Sequence, residues 1–180
     1  MSCIDQTYPN CEILVIDDCS TDKSYEVAQK FHRHIRLFKT DVNRGYSHAK
    51  NMGIREAKGE FIVFIDADDM LLTDSVEIRM KKFESNPKID LVHAQAWRWR
   101  KIKGKWQKDG FRKKAKIHAQ TVAIRRSVFK KYGLFYERLR SKADKEMWVR
   151  LGIHPDYKLP KLIKPLKIKK HVALYRKHFF

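Results

Sequence analysis

The sequence is poor in the features that would tie it to a membrane or to a disulfide framework. Its longest unbroken apolar run, Phe61 to Ile65, is strand-sized, far below the ~18 residues of a membrane span. The opening MSCIDQTYPN has neither a basic region nor an apolar core, so it does not read as a signal peptide. The three cysteines, Cys3, Cys11 and Cys19, are an odd set without C-x-x-C spacing. That disfavours paired disulfides and a zinc site, and they read as reduced thiols of a cytoplasmic protein. No repeat and no flexible linker interrupts the chain, so residues 1–180 read as a single domain.

Acidic residues are scarce in one half only. Residues 91–180 hold 5 acids against 27 Lys and Arg, whereas residues 1–90 hold 16 acids against 13. The net charge of +19 therefore belongs to the second half. This excludes a uniformly basic, chromatin-type protein and points to two chemically distinct faces. With 43% hydrophobic and 34% charged residues, the chain can build a packed core and is not wholesale disordered.

Strand-like and helix-like patterns alternate through residues 1–92. Glu12 to Ile16, Ile35 to Phe38, Phe61 to Ile65 and Ile89 to Val92 read as short apolar strands. Helices are expected after the Ser20–Asp22 cap cluster, over Ser47 to Ala57, and from Thr73 or Asp74 to Phe83. This alternation predicts an α/β fold with a mainly parallel sheet covered on both faces. In such sheets ligands bind beyond the carboxyl ends of the strands. Two strands end there in acids, Asp17-Asp18 and Asp66, Asp68 and Asp69. After residue 92, Trp97, Trp99 and Trp106 interleave with Arg and Lys, and Gly104 suggests a hairpin. Gln120 to Ile124 reads as a strand, Ser127 to Tyr132 and Lys142 to Leu151 as helices. The tail from Lys158 mixes lysines with single apolar residues.

Four segments then carry a resemblance. Gln6-Thr-Tyr-Pro-Asn10 with Glu12 to Asp22, Asn43-Arg-Gly-Tyr-Ser-His-Ala-Lys-Asn-Met-Gly53, Gly59 to Asp69, and Ala143-Asp-Lys-Glu-Met-Trp-Val-Arg-Leu151 occur in the order found in family 2 glycosyltransferases. The chain resembles that family over most of its length. The resemblance implies a GT-A fold, a Rossmann-like nucleotide-binding sheet flanked by helices, with residues 1–92 as the nucleotide and metal half and 93–180 as a basic acceptor half. The family's first strand and most of its first helix have no counterpart ahead of Gln6. The strands at 12–16 and 61–65 are then expected to flank a gap, to pair directly, or to receive a strand from another copy.

The resemblance also implies an activity, the transfer of a sugar from a nucleotide-sugar, a UDP-sugar in the first instance, to a hydroxyl of a saccharide or lipid-linked acceptor. A donor diphosphate would be repelled by acids at a strand edge unless a divalent cation lies between them. Hard cations such as Mn²⁺ and Mg²⁺ take oxygen ligands, and such a cation offsets charge on the departing diphosphate. Asp66 and Asp68 are the expected metal ligands, with Asp66 also facing the sugar or ribose and Asp69 supporting them. Asp17 or Asp18 would hold the uracil ring, and Lys50, where the family usually carries Arg, would face the diphosphate. Asp144 is the expected general base, and a single base with in-line attack inverts the anomeric carbon. The family usually has an acid before it, where this chain has Ala143.

The basic half calls for a partner. Its interleaved Trp and basic residues suit sugar rings, bases or a membrane interface. Its lysine-rich tail suits an anionic lipid surface, which would place the protein peripherally at the inner membrane. A nucleic-acid partner fits the pI of about 9.9, but no nucleic-acid module motif is present and the strand-end acids oppose it. The rival reading is a catalytically compromised relative that binds a membrane surface or anionic polymer. A homo-oligomer stays open. Tyr175-Arg176 with His178 is similar to another family element, and His32, His34, His93 and His118 read as surface or internally satisfied.

Overall fold

The computed structural model describes residues 2–102, 105–111, 117–139, 142–154 and 161–176. The expected turn at Gly104, the basic run Arg112 to Lys116, the start of the tail at Lys158 to Pro160, and His178 lie outside the described residues. The elements run β1 (Leu14–Asp17), α1 (Ser24–Gln29), β2 (Arg36–Lys39), α2 (Tyr46–Glu56), β3 (Phe61–Val63), β4 (Met70–Leu71), α3 (Ser75–Ser85), β5 (Leu91–Ile102) and β6 (Lys105–Phe111). A 3₁₀ turn (Ala119–Thr121) leads into β7 (Val122–Arg125), followed by α4 (Arg126–Tyr132), α5 (Ala143–Arg150) and β8 (Pro165–Arg176).

The α/β class holds, but the sheet is mixed rather than mainly parallel. β1 and β2 pair in parallel as a two-stranded sheet. The larger sheet has the order β3-β7-β5-β8-β4, with β6 paired to β5. Only β5 and β8 are parallel within it; β3–β7, β5–β7, β4–β8 and β5–β6 are antiparallel. The reason lies in the second half of the chain. β7 inserts between β3 and β5, and β8 inserts between β5 and β4, so β3, β4 and β5 are not neighbours of one another. Alternating periodicity marks the strands but does not say what comes between them.

Side-chain alternation along the central strands divides the core into two layers. Leu91, Val122 and Ile124 point into one cluster with Phe129, Phe135, Met147, Trp148 and Leu151. Val92 and Ala123 point into the other, with Val76, Met80, Phe83, Val172 and Ala173. Burying side chains of the size of Leu91 and Met147 is worth roughly 1.5–3 kcal/mol each, so both faces of β5 and β7 hold the fold together. The tail also contributes: Ile163, Ile168, Val172 and Ala173 are core residues. Its lysines Lys161, Lys164, Lys167, Lys169 and Lys170 stay exposed.

β1 and β3 belong to separate sheets, so direct pairing of the two acid-ended strands does not occur. Two cavities lie between them. One, of about 490 Å³, is bounded by Leu14 and Ile16 of β1, by α2, and by the β3 segment through Asp68. The other, of about 320 Å³, lies among Tyr8, Ile13, Val63 and Met80. Glu12 closes the lower end, its carboxylate accepting the backbone N–H groups of Lys58 (2.5 Å) and Gly59 (2.7 Å).

Candidate active site

The site begins with the loop that feeds α2. Gly45 lies at φ 89°, a conformation strained for any residue with a Cβ. Asp18 fastens this loop. Its carboxylate accepts the N–H groups of Arg44 (3.0 Å) and Gly45 (2.6 Å) and the Thr40 hydroxyl (3.1 Å). Asn43 donates to the Asp18 carbonyl (3.2 Å). Asp17, buried at the end of β1, accepts the Ser20 N–H (3.2 Å). The loop in turn sets where α2 starts, and Tyr46 and Lys50, four residues apart, share one face of that helix.

Lys50 is the hub. Its side chain is 8% exposed and its Nζ donates to Asp144 Oδ1 at 3.1 Å. The same ammonium donates to the Tyr46 hydroxyl. It lies 3.9 Å from the Tyr46 ring centroid, 5.0 Å from Phe64 and 5.5 Å from Phe135. Burial pushes the Lys50 pKa down, while Asp144 and Asp66 pull it back up. Burial pushes the Asp66 carboxyl up; Lys50 opposes this, and Asp144 and Asp68 reinforce it. The Lys50 charge thus offsets the repulsion between the two carboxylates.

Asp144 comes from the first turn of α5, where unpaired backbone N–H groups favour a carboxylate. Ala143 before it is 1% exposed and packs into the core with Trp148. An acid at this position in this chain would be buried. Trp148 is a core residue. Arg150 donates to the carbonyls of Gly133 (3.3 Å) and Leu134 (2.8 Å) and so shapes the loop after α4.

The acids after β3 form a turn, the Asp69 N–H donating to the Asp66 carbonyl at 3.0 Å. Asp66 and Asp68 line the larger cavity together with Tyr46 and Lys50. Asp69 instead turns inward and accepts a hydrogen bond from Gln120 Nε2 (2.5 Å). Behind it the fully buried Arg79 grips Ser75 Oγ (2.6 Å) and the carbonyls of Ser75 (3.0 Å), Gln120 (3.4 Å) and Val122 (3.1 Å). The acidic turn is therefore held from behind by α3 and the 3₁₀ turn.

The structure thus brings together Lys50, Asp66 and Asp144, with Asp68 beside Asp66, while Asp17 and Asp18 organise the loops next to them. Sequence reasoning passed over Tyr46, Asn51, Gln120 and Glu137. Asn51 exchanges two 2.9 Å hydrogen bonds with the Phe135 backbone, holding that ring against Lys50. Glu137 accepts from Asn51 (2.8 Å) and bonds His48 (2.9 Å), which hold its carboxyl down at about 2. The four-residue spacing of Tyr46 and Lys50 was the only advance signal among these.

A divalent cation fits this donor set in a limited way. Among the described residues, no group of three or more His, Cys, Asp or Glu side chains is gathered that could hold a metal. Asp66 and Asp68 offer two carboxylates, which suits a hard ion that fills its other positions with substrate phosphate oxygens and water.

The acids that follow β1 and β3 and the Lys50 ammonium on α2 are carried by an α/β scaffold of the GT-A kind, the fold of its solved neighbours. The family model for glycosyl transferase family 2 matches residues 1–142, and the chain belongs to that family. It is 25% identical over 179 residues to an uncharacterized glycosyltransferase of Haemophilus influenzae, covering 89% of this chain and 58% of the relative. The fold matches S. aureus TarS 1-349 in complex with UDP-GlcNAc at a TM-score of 0.73 and 18% identity, over 99% of this chain and 54% of that one. It also matches the mannosyltransferase PcManGT from Pyrobaculum calidifontis, in complex with GDP-Man and Mn²⁺, at a TM-score of 0.68 and 18% identity, over 95% and 50%. The chain thus spans between 50% and 58% of the length of each.

Proposed function

We propose that this chain is the donor-binding and base-bearing part of a metal-dependent, inverting glycosyltransferase. It would move a sugar from a UDP-sugar to a hydroxyl of a saccharide or lipid-linked acceptor. The observation that carries this reading is the meeting of Asp66 and Asp144 around Lys50, at the rim of the cavity that Asp66 and Asp68 line. Lys50 would leave Asp144 for the donor diphosphate, giving the ammonium a doubly charged partner and freeing the carboxylate. Asp144 would then take the proton of the acceptor hydroxyl as that oxygen attacks the anomeric carbon. Mn²⁺ or Mg²⁺ held by Asp66 and Asp68 would supply Lewis-acid stabilisation of the leaving diphosphate. Asp17, at the end of β1, is the better placed of the two neighbouring acids to meet the uracil, because the Asp18 carboxylate already accepts three hydrogen bonds.

The exposed lysines of residues 161–170 support a cytoplasmic protein lying peripherally against an anionic inner-membrane face, the acceptor half toward it. One observation favours a second reading. With β1 and β3 in separate sheets, the chain would bind a membrane surface or an anionic polymer through its basic half without completing transfer. Calorimetric titration of UDP with and without Mn²⁺ decides between transferase and surface binder. Binding that requires the ion is expected, and no binding in either condition overturns the donor site.

A further inference from the structure

Helix α2 works in two directions. Tyr46 and Lys50 line the cavity, while Ser47 and Asn51, 3% and 1% exposed, bond the segment that follows α4. Both polar atoms of the Asn51 amide are engaged there. Its Oδ1 accepts the Phe135 N–H (2.9 Å), and its Nδ2 donates to the Phe135 carbonyl (2.9 Å) and to Glu137 Oε1 (2.8 Å). One turn earlier, Ser47 Oγ donates to the Leu139 carbonyl (3.3 Å). The other end of the segment is held from α5, where Arg150 donates to the carbonyls of Gly133 and Leu134. Residues 133–139 are therefore a strap strung between the helix that carries Lys50 and the helix that carries Asp144. Leu139 stands five residues before Asp144, so the place where α2 holds it limits where α5 begins.

We infer that Asn51 is a positioning residue for the reaction, whose amide, by holding this strap on α2, sets where Asp144 stands relative to Lys50. The inference rests on the reading of Asp144 as the base. Lys50 and Asp144 tie the two helices directly, at 3.1 Å, but that reading has Lys50 leave for the diphosphate. The strap then keeps Asp144 at its station beside α2 when its position matters most. Asn51 acts on the Lys50 side as well. The Phe135 ring that it places lies 5.5 Å from the ammonium and edge-on to Phe64 (5.6 Å, 80°). Asn51→Leu keeps the side-chain volume close to that of the amide and removes all three hydrogen bonds; Ser47→Ala loosens the same strap one turn away.

The first test needs no turnover. A double-mutant cycle of Lys50→Met and Asp144→Ala in urea unfolding reads the coupling of that pair, and it is repeated on Asn51→Leu and on Ser47→Ala. The coupling is expected to fall below about half its value in Asn51→Leu, and less steeply in Ser47→Ala. A coupling preserved in both overturns the inference. Should Asn51→Leu fail to fold, Ser47→Ala decides by the same measure. The second test follows UDP release from UDP-GlcNAc with Mn²⁺. In Asn51→Leu kcat is expected to fall roughly ten- to a hundredfold, the range that misplacement of a reacting group produces, with UDP affinity unchanged. UDP affinity lost together with kcat overturns the inference and makes Asn51 a support of the donor cavity. A fully active Asn51→Leu beside an inactive Asp144→Asn overturns it and leaves the base assignment intact. A fully active Asp144→Asn removes the base assignment and the inference together.

Discussion

Lys50 Nζ lies 3.1 Å from Asp144 Oδ1, across 94 residues of sequence. The pair joins α2 to α5 at the cavity rim, and each partner has its own consequence when removed. Asp144→Asn is expected to abolish transfer while leaving UDP affinity nearly unchanged, because Asp66 still faces Lys50. Lys50→Met leaves Asp66 and Asp144 to repel each other. It should weaken UDP binding and lower stability by up to about 3 kcal/mol, the scale for breaking a largely buried pair. Calorimetry and denaturant unfolding separate the two outcomes; a fully active Asp144→Asn would sink the base assignment.

The neighbouring acids Asp68 and Asp69 should behave differently despite their adjacency. Asp66→Asn and Asp68→Asn are expected to remove the Mn²⁺ dependence of UDP binding with little loss of stability. Asp69→Ala leaves the buried Gln120 amide without the carboxylate it donates to, a loss of about 1–3 kcal/mol, and keeps the Mn²⁺ dependence. Titrations of the three variants check this. Metal dependence lost in Asp69→Ala alone would reverse the assignment.

These acids show which parts of the molecule were legible in advance. The strand running into Asp17-Asp18, the α2 and α5 segments and the order of motifs were readable, because each is a local pattern, whereas the strand expected over Phe61 to Ile65 ends at Val63, short of Asp66. β8 was not readable. Lysines at 167, 169 and 170 mask its alternation, and only tertiary packing reveals that Ile168, Val172 and Ala173 face the core. The roles of Asp69 and Asp18 were equally hidden. Whether a carboxylate faces the cavity or fastens a loop depends on partners such as Gln120 and Gly45, distant in sequence or silent in side chain. The reading of the histidines as surface or satisfied also failed at His93, whose Nε2 is buried without a partner.

That histidine gives the fold a pH dependence. Burial, reinforced by Lys167 and His118, lowers the His93 pKa to about 4, against ~6.5 in an unfolded chain. The unfolded state therefore binds the proton first. Stability is full above about pH 6.5 and declines as pH falls toward 4, by roughly 3 kcal/mol from this group. Urea unfolding of the unaltered chain and of His93→Leu, at pH 7 and at pH 4.5, should show a smaller acid loss in the variant. Equal losses would place the acid sensitivity elsewhere.

The gap between β1 and β3 makes a prediction at single-amide resolution. Ile13 and Asp17 accept from β2 through their carbonyls, from Arg36 (2.8 Å) and Thr40 (2.9 Å). Main-chain groups alternate in direction along a strand, so Leu14 and Ile16 point away from β2. On the other side Glu60 accepts from Arg126 across the ladder to β7 (2.8 Å), which leaves Phe61 and Val63 pointing away from β7. Hydrogen exchange should therefore be fast at Leu14, Ile16, Phe61 and Val63. It should be slow at Val15 and Ile62, the residues between them that pair with β2 and β7. Protection at all six positions would mean that the two acid-ended strands close on each other in solution, collapsing the cavity to which Lys50, Asp66 and Asp68 contribute.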